Sequence, residues 1–377
     1  CNDLISFGRG AYPWRNDVNG QNNTITIEAV NSDSNSFSLF GDVFGSESDK
    51  VDFFNLKVKY TDTDTAINKS SGLLLNNGNF VNIDNVTIES GSITVSGTST
   101  KFGGIAQKLT NSNVESSSNK QDISATGNVN TIGGLFAEIV NTNLDWVSNS
   151  GDISGRISKL GGIVGKTEIT DGSTYKIENS TNTSDISSTR SSSYVGGITG
   201  EDSGYTYNAN TNGNITYKNN GTVLDERIGS VNSSYSAGGI IGYANKSKFV
   251  QGNINNAEIS GSTAGGIVGG ASGITMESGS TGTSPAINNG LIEGSTVGGI
   301  VGVADSNSKI VNVENKSLGE IIATSYGGGI VGNIKGGTIV DSCKNEGYVA
   351  SKTLMIDSGG IGGISGTIDN SNSEIKN

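Results

Sequence analysis

The chain has 377 residues, of which 57 are Gly, 33% are apolar and only 16% are charged, with a net charge of −12 and no histidine. The missing histidine removes Ser-His-Asp and Cys-His catalysis and every His-containing zinc or haem site, and two cysteines, Cys1 and Cys343, are too few for a thiolate zinc site or a disulfide framework. The 24 Lys and Arg are scattered through an acidic chain, which argues against nucleic acid, and no run of 18 apolar residues marks a membrane helix.

At the N-terminus, Cys1 followed by Asn2 and Asp3 matches the first residue of a mature bacterial lipoprotein, so Cys1 is a candidate lipidation site. Residues 1–75 show an alternating stretch from Thr24 to Val30, an aromatic cluster of Phe37, Phe40 and Phe44, and a strand-like run from Phe53 to Tyr60. A stacked β fold needs its end coil covered, and 1–75 is expected to form a β-rich cap over a repeat domain spanning 76–377.

The repeat is an apolar-Gly-Gly-Ile/Leu block that recurs nine times, with its first glycine at Gly103, Gly133, Gly161, Gly196, Gly238, Gly265, Gly298, Gly328 and Gly362. Such a period of roughly 27–42 residues means stacked supersecondary units rather than separate domains. The fourth block position is Ile105, Leu135, Ile163, Ile198, Ile240, Ile267, Ile300, Ile330 or Ile364, apolar throughout, and is expected to face the core. The residue after it ranges from Phe136 and Val268 to Thr199 and Ser365, which predicts half exposure. A glycine follows in seven copies, from Gly165 and Gly200 to Gly366, while Gln107 and Ala137 replace it in the first two. Because the apolar residues before and after the glycine pair are an odd number apart, the pair reads as a corner, followed by a short strand. No helical periodicity persists, so the expected fold is all-β, a parallel β-solenoid of about nine repeats carrying the GGIxG block.

Upstream of most blocks an Asn precedes an Ile or Val by four residues, as at Asn119, Asn149, Asn182, Asn219, Asn255, Asn288 and Asn345; Asn315 lies six before Ile321, which predicts a local insertion. One coil phase of Asn implies either a side-chain amide ladder or an Asx turn at each corner. Ten Asn-x-Ser/Thr sequons, Asn182 and Asn315 among them, would suit a glycan coat if the source glycosylates them.

Candidate sites are few. The longest repeat, between Gly200 and Gly238, carries Tyr205, Tyr207, Tyr217 and Tyr235, and extra residues of a solenoid map to loops on one face. Exposed Tyr offers contact area at low entropic cost, so these four are candidate partner-binding residues for a glycan or a host or cell-surface partner. Adjacent Glu201 and Asp202 read as solvated loop acids rather than as a calcium or glycosidase pair, and Cys343 reads as a buried free thiol.

The GGIVG blocks starting at Gly161, Gly265, Gly298 and Gly328, with Asn-x-Gly-x-Ile segments between, resemble the GLUG-type repeats of bacterial cell-surface proteins. The resemblance covers about residues 95–370 and implies a right-handed parallel β-solenoid at the cell surface or outside the cell. The expected function is non-enzymatic: an adhesin, stalk or fibre subunit without cofactor or metal, able to assemble end to end with its own kind. The alternative is a carbohydrate-active enzyme or carbohydrate-binding module on the same scaffold.

Overall fold

The GGI block sets the path of each coil. In the computed structural model, which describes residues 7–8, 11–28, 38–61, 66–211, 218–219, 222–223, 230–250, 252–277, 284–352, 359–369 and 372–376, the first glycine closes one strand. The second glycine and the Ile turn the corner, and a new strand starts at the next residue, so Lys101–Gly103 is followed by Ala106–Thr110 and Tyr194–Gly196 by Thr199–Asp202. The strands that follow the corners stack in parallel into an eleven-stranded sheet, from Phe40–Phe44 to Ser365–Ile368, and the other faces of the coils form a thirty-stranded sheet. Among the described residues there is no helix. The protein is an all-β parallel solenoid, and eleven coils at about 4.8 Å per step give a stack of roughly 50 Å.

The predicted core column is in place. Ile163, Ile198, Ile240, Ile267, Ile300 and Ile330 are fully buried, as are Ile105 and Leu135, while Ile364 in the last described coil is partly buried against the same core. The following position departs from expectation, because Phe136, Thr199 and Val268 are all buried and only Ser365 is half-buried. The corner supplies the reason. The chain turns between the Ile and its successor, so two consecutive side chains enter the interior from different sheets and strict alternation does not apply.

The segment expected as a cap winds within the same stack. Thr24–Ile27 pairs in parallel with the end of Val51–Tyr60, which pairs in turn with Val81–Val95, and Phe40–Phe44 pairs with Leu75–Asn79. Gly72 is in register with Gly103 and Leu75 with Ala106, so Gly72-Leu73-Leu74 is a corner block whose second glycine has become Leu73.

Both readings of the Asn phase hold at once. Asn119 Nδ2 donates to Asn149 Oδ1 at 2.7 Å and Asn149 Nδ2 to Asn182 Oδ1 at 2.9 Å; Asn255, Asn288, Asn315 and Asn345 continue the ladder at 2.7–2.8 Å. Each amide also turns back on its own corner, as when Asn288 Nδ2 donates to the Gly290 carbonyl and Asn288 Oδ1 accepts the Gly290 N–H. The second glycine of the block makes room for this ladder: a Cβ on Gly266 would lie 2.6 Å from Asn288 Cγ. Asn219 is not part of it. Its strand, Lys218–Asn219, pairs antiparallel with Thr222–Val223, and the residue in register with Asn182 is Thr211. At Asn315 the predicted insertion is present, with Nδ2 donating to the Gly319 carbonyl four residues on rather than two. Asn182 and Asn315 are buried in the ladder, which closes both sequons to modification in the folded chain.

Candidate functional site

Outside each GGI corner, two columns of side chains face each other across an elbow. One column contains Lys101, Thr131, Lys159, Tyr194, Ser236, Thr263 and Thr296, each in register with the next. The other contains Glu138, Lys166, Glu201, Tyr243, Gly270, Val303 and Asn333. In the lower coils ion pairs bridge the elbow, Lys101 to Glu138 and Lys159 to Glu201, each at 2.8 Å. One step further, tyrosines replace them. Tyr194 stacks on Tyr243 with ring centres 5.0 Å apart and planes at 27°, and Tyr235 meets Tyr194 at 6.0 Å and 58°.

Beyond the tyrosines the columns shrink to Ser236, Thr263 and Gly270, and a groove of about 600 Å³ opens, with Asp305, Asn333 and Lys335 at its far end. Gly270 helps shape it, since a Cβ there would come within 3.2 Å of the Tyr243 ring, which instead lies against the next coil. Tyr235 reaches the groove through a β-bulge. Ser230–Gly238 pairs with Glu258–Gly265 from Ser230 to Ser233 and again from Ser236, leaving one extra residue on the Tyr235 strand and its ring half exposed. Burial, reinforced by Tyr235, Tyr243 and Glu201, pushes the Tyr194 phenol pKa above its ordinary value, which keeps its O–H available as a donor. Asn333 is 7% exposed; its Nδ2 donates to Asp369 Oδ2 at 2.8 Å, while its Oδ1 has no partner among the described residues.

The predicted tyrosines separate. Tyr235 is at the surface, but Tyr205 and Tyr207 are fully buried and are not partner-binding residues; Tyr217, like Cys1, lies outside the described residues. Tyr205 serves a structural column of hydroxyls in which Ser112 Oγ accepts the Val81 N–H and Thr142 Oγ accepts the Ser112 N–H. Tyr205 OH completes the column by accepting the Thr142 N–H at 3.0 Å from two coils away. Tyr207 OH donates to Asp202 Oδ1 at 2.9 Å.

Asp202 is not a solvated acid either. Strand alternation turns Glu201 outward to Lys159 and Asp202 inward, where it is 1% exposed. There it accepts from Thr167 and Ser247 hydroxyls, from Tyr207 OH and from the Gly204 and Tyr205 N–H groups. Cys343 is half-buried, its thiol in contact with the Asp341 carbonyl at 3.2 Å, and burial pushes its pKa up to about 11. Among the described residues no three His, Cys, Asp or Glu side chains are grouped to hold a metal, and no helix is long and apolar enough to cross a membrane.

Tyr194 and Tyr243 escaped the sequence reading because they belong to different repeats. Numbering each repeat from its glycine pair would have found them, for Tyr194 lies two before Gly196 and Tyr243 five after Gly238, the two elbow positions that carry lysine and glutamate in lower coils. Compared with protein-family models, curated proteins and solved structures, the chain has no significant match.

Proposed function

We propose that the chain is a non-enzymatic scaffold of an extracellular or cell surface, an adhesin, stalk or fibre subunit whose working part is the solenoid itself. The observation that carries this reading is the coil-to-coil bonding, in which corner, ladder and strand bonds tie each coil to the next from residue 231 to 345, through one-residue bulges on Ser230–Gly238 and Ile321–Gly328. A rod of this kind holds a surface at a fixed distance and orientation. The likeness of its GGIVG blocks to GLUG-type repeats supports the location.

Two measurements test it. Protease treatment of intact source cells should release the protein, and its retention inside the cells would overturn the surface assignment. Negative-stain microscopy with solution mass should show rods, alone or joined end to end; globular particles would overturn the scaffold role. The tyrosine-lined groove favours the second reading in its binding form.

A further inference from the structure

We propose that the elbow groove beyond Tyr194 and Tyr243 binds a neutral oligosaccharide, laid along the solenoid axis with one ring against Tyr235. The inference does not rest on the surface scaffold reading, because the groove is a property of the fold wherever the protein resides. Four features of its lining point to this ligand.

The first is the aromatic end. Tyr194, Tyr235 and Tyr243 form a continuous cluster with Tyr235 half exposed, and an exposed phenol presents a flat apolar face beside a polar edge. A pyranose matches that pattern, with C–H groups on its faces and hydroxyls around its rim. The second is the floor, lined by short polar side chains such as Thr263, Ser272 and Thr296, which offer hydroxyls to either a donor or an acceptor. The third is the charge. Lys335 is the one basic residue in the lining and is already paired with Asp369 at 3.7 Å, beside Asp305, so the groove has no basic cluster to attract an anionic polymer.

The fourth is Asn333. A buried polar atom without a partner is uncommon and costs free energy, yet Asn333, a residue of the groove wall, keeps a buried Oδ1 with none among the described residues. Its Nδ2 is held by Asp369, so oxygen rather than nitrogen is the unused group, and because that oxygen is buried it meets a donor such as a sugar hydroxyl only when the groove wall shifts on binding. From the Tyr243 coil to the Asn333 coil is three steps, about 14 Å, which is room for an oligosaccharide of a few rings.

The test uses the full chain in calorimetric titrations with neutral tetra- to hexasaccharides built from glucose, xylose, mannose or N-acetylglucosamine. At least one series should bind. Tyr235→Ala and Thr296→Arg, both at half-exposed positions outside the core, should each weaken that binding tenfold or more while the melting temperature holds. Absence of binding across the panel would overturn the proposal. So would binding that survives both substitutions, or capture of a peptide library that Thr296→Arg abolishes while no saccharide is retained.

Discussion

At Asp202 two forces oppose each other, burial pushing the carboxyl pKa up and hydrogen bonds from Ser247, Thr167, Tyr207 and Gly204 pulling it down, and burial prevails. A folded pKa raised above 3.8 means that the folded state favours the protonated form, so the contribution of this group to stability is complete below about pH 3.8 and is lost as pH rises through the folded pKa. An amide avoids the loss: with its oxygen toward the Gly204 N–H, its nitrogen can donate to Thr167 Oγ1 while Tyr207 OH turns to Thr199 Oγ1, 3.2 Å away. Asp202→Asn should therefore fold, and its melting temperature relative to the parent should climb between pH 4 and 8; a constant difference would show that Asp202 does not titrate in this range. Tyr205→Phe tests the hydroxyl column. It leaves the buried Thr142 N–H without its acceptor and should cost about 1–3 kcal/mol in urea unfolding. Neither residue's role was legible beforehand, because a Tyr or Asp inside an uncharged, hydroxyl-rich sequence looks the same whether its partners come from the coil above or from solvent.

One coil element, the GGI corner with its Asn, was readable because it repeats under a constraint that few residue types meet. Only an apolar side chain tolerates the Ile267 position, and only glycine leaves room for the ladder at Gly266. The position after the Ile was misjudged for the opposite reason: Thr199 hides its hydroxyl against the Tyr207 oxygen, 3.2 Å away, so a polar residue there does not signal exposure. Val268→Ser, with no such partner, should cost about 2 kcal/mol or more in denaturant unfolding. A loss below half that value would return the position to the surface. Within the ladder, Asn288→Ala removes a donor and an acceptor between two neighbours, whereas Asn345→Ala removes one rung end. The first should lower the unfolding midpoint clearly more than the second. Equal losses would mean that the amides act as separate Asx turns and not as a ladder.

For the whole molecule, each coil bonds to the coils on either side, so stability should behave as a sum of nearest-neighbour terms. Removing one full period, residues 265–297, joins Ala264 to Gly298 and brings Asn255 opposite Asn315, both pairs that the register already treats as equivalent. The shortened chain should keep its β circular dichroism and lose one coil step of about 4.8 Å from its length in small-angle scattering. Unfolding of this deletion would contradict the nearest-neighbour account. The overall architecture was legible from the glycine period alone. The first coils were not, since Leu73 stands where a glycine marks later corners and the register is carried there by Phe53, Leu56 and Val58, which fill the core without a repeating signature.

The ladder also gives the rod an electrical direction. In every rung the N–H points toward the later coil and the oxygen toward the earlier one, and the corner N–H groups point the same way, as from Gly162 to Gly196 and from Ile163 to Ile198. Dipoles within the sheets largely cancel, whereas these add along the axis, opposed by a shorter outer row in which Asn141 donates to Asn111 and Asn111 to Asn79. A coil could therefore join the stack only with its amides facing the same way, which makes head-to-head stacking the electrostatically disfavoured arrangement and gives any growth of the array an arrow.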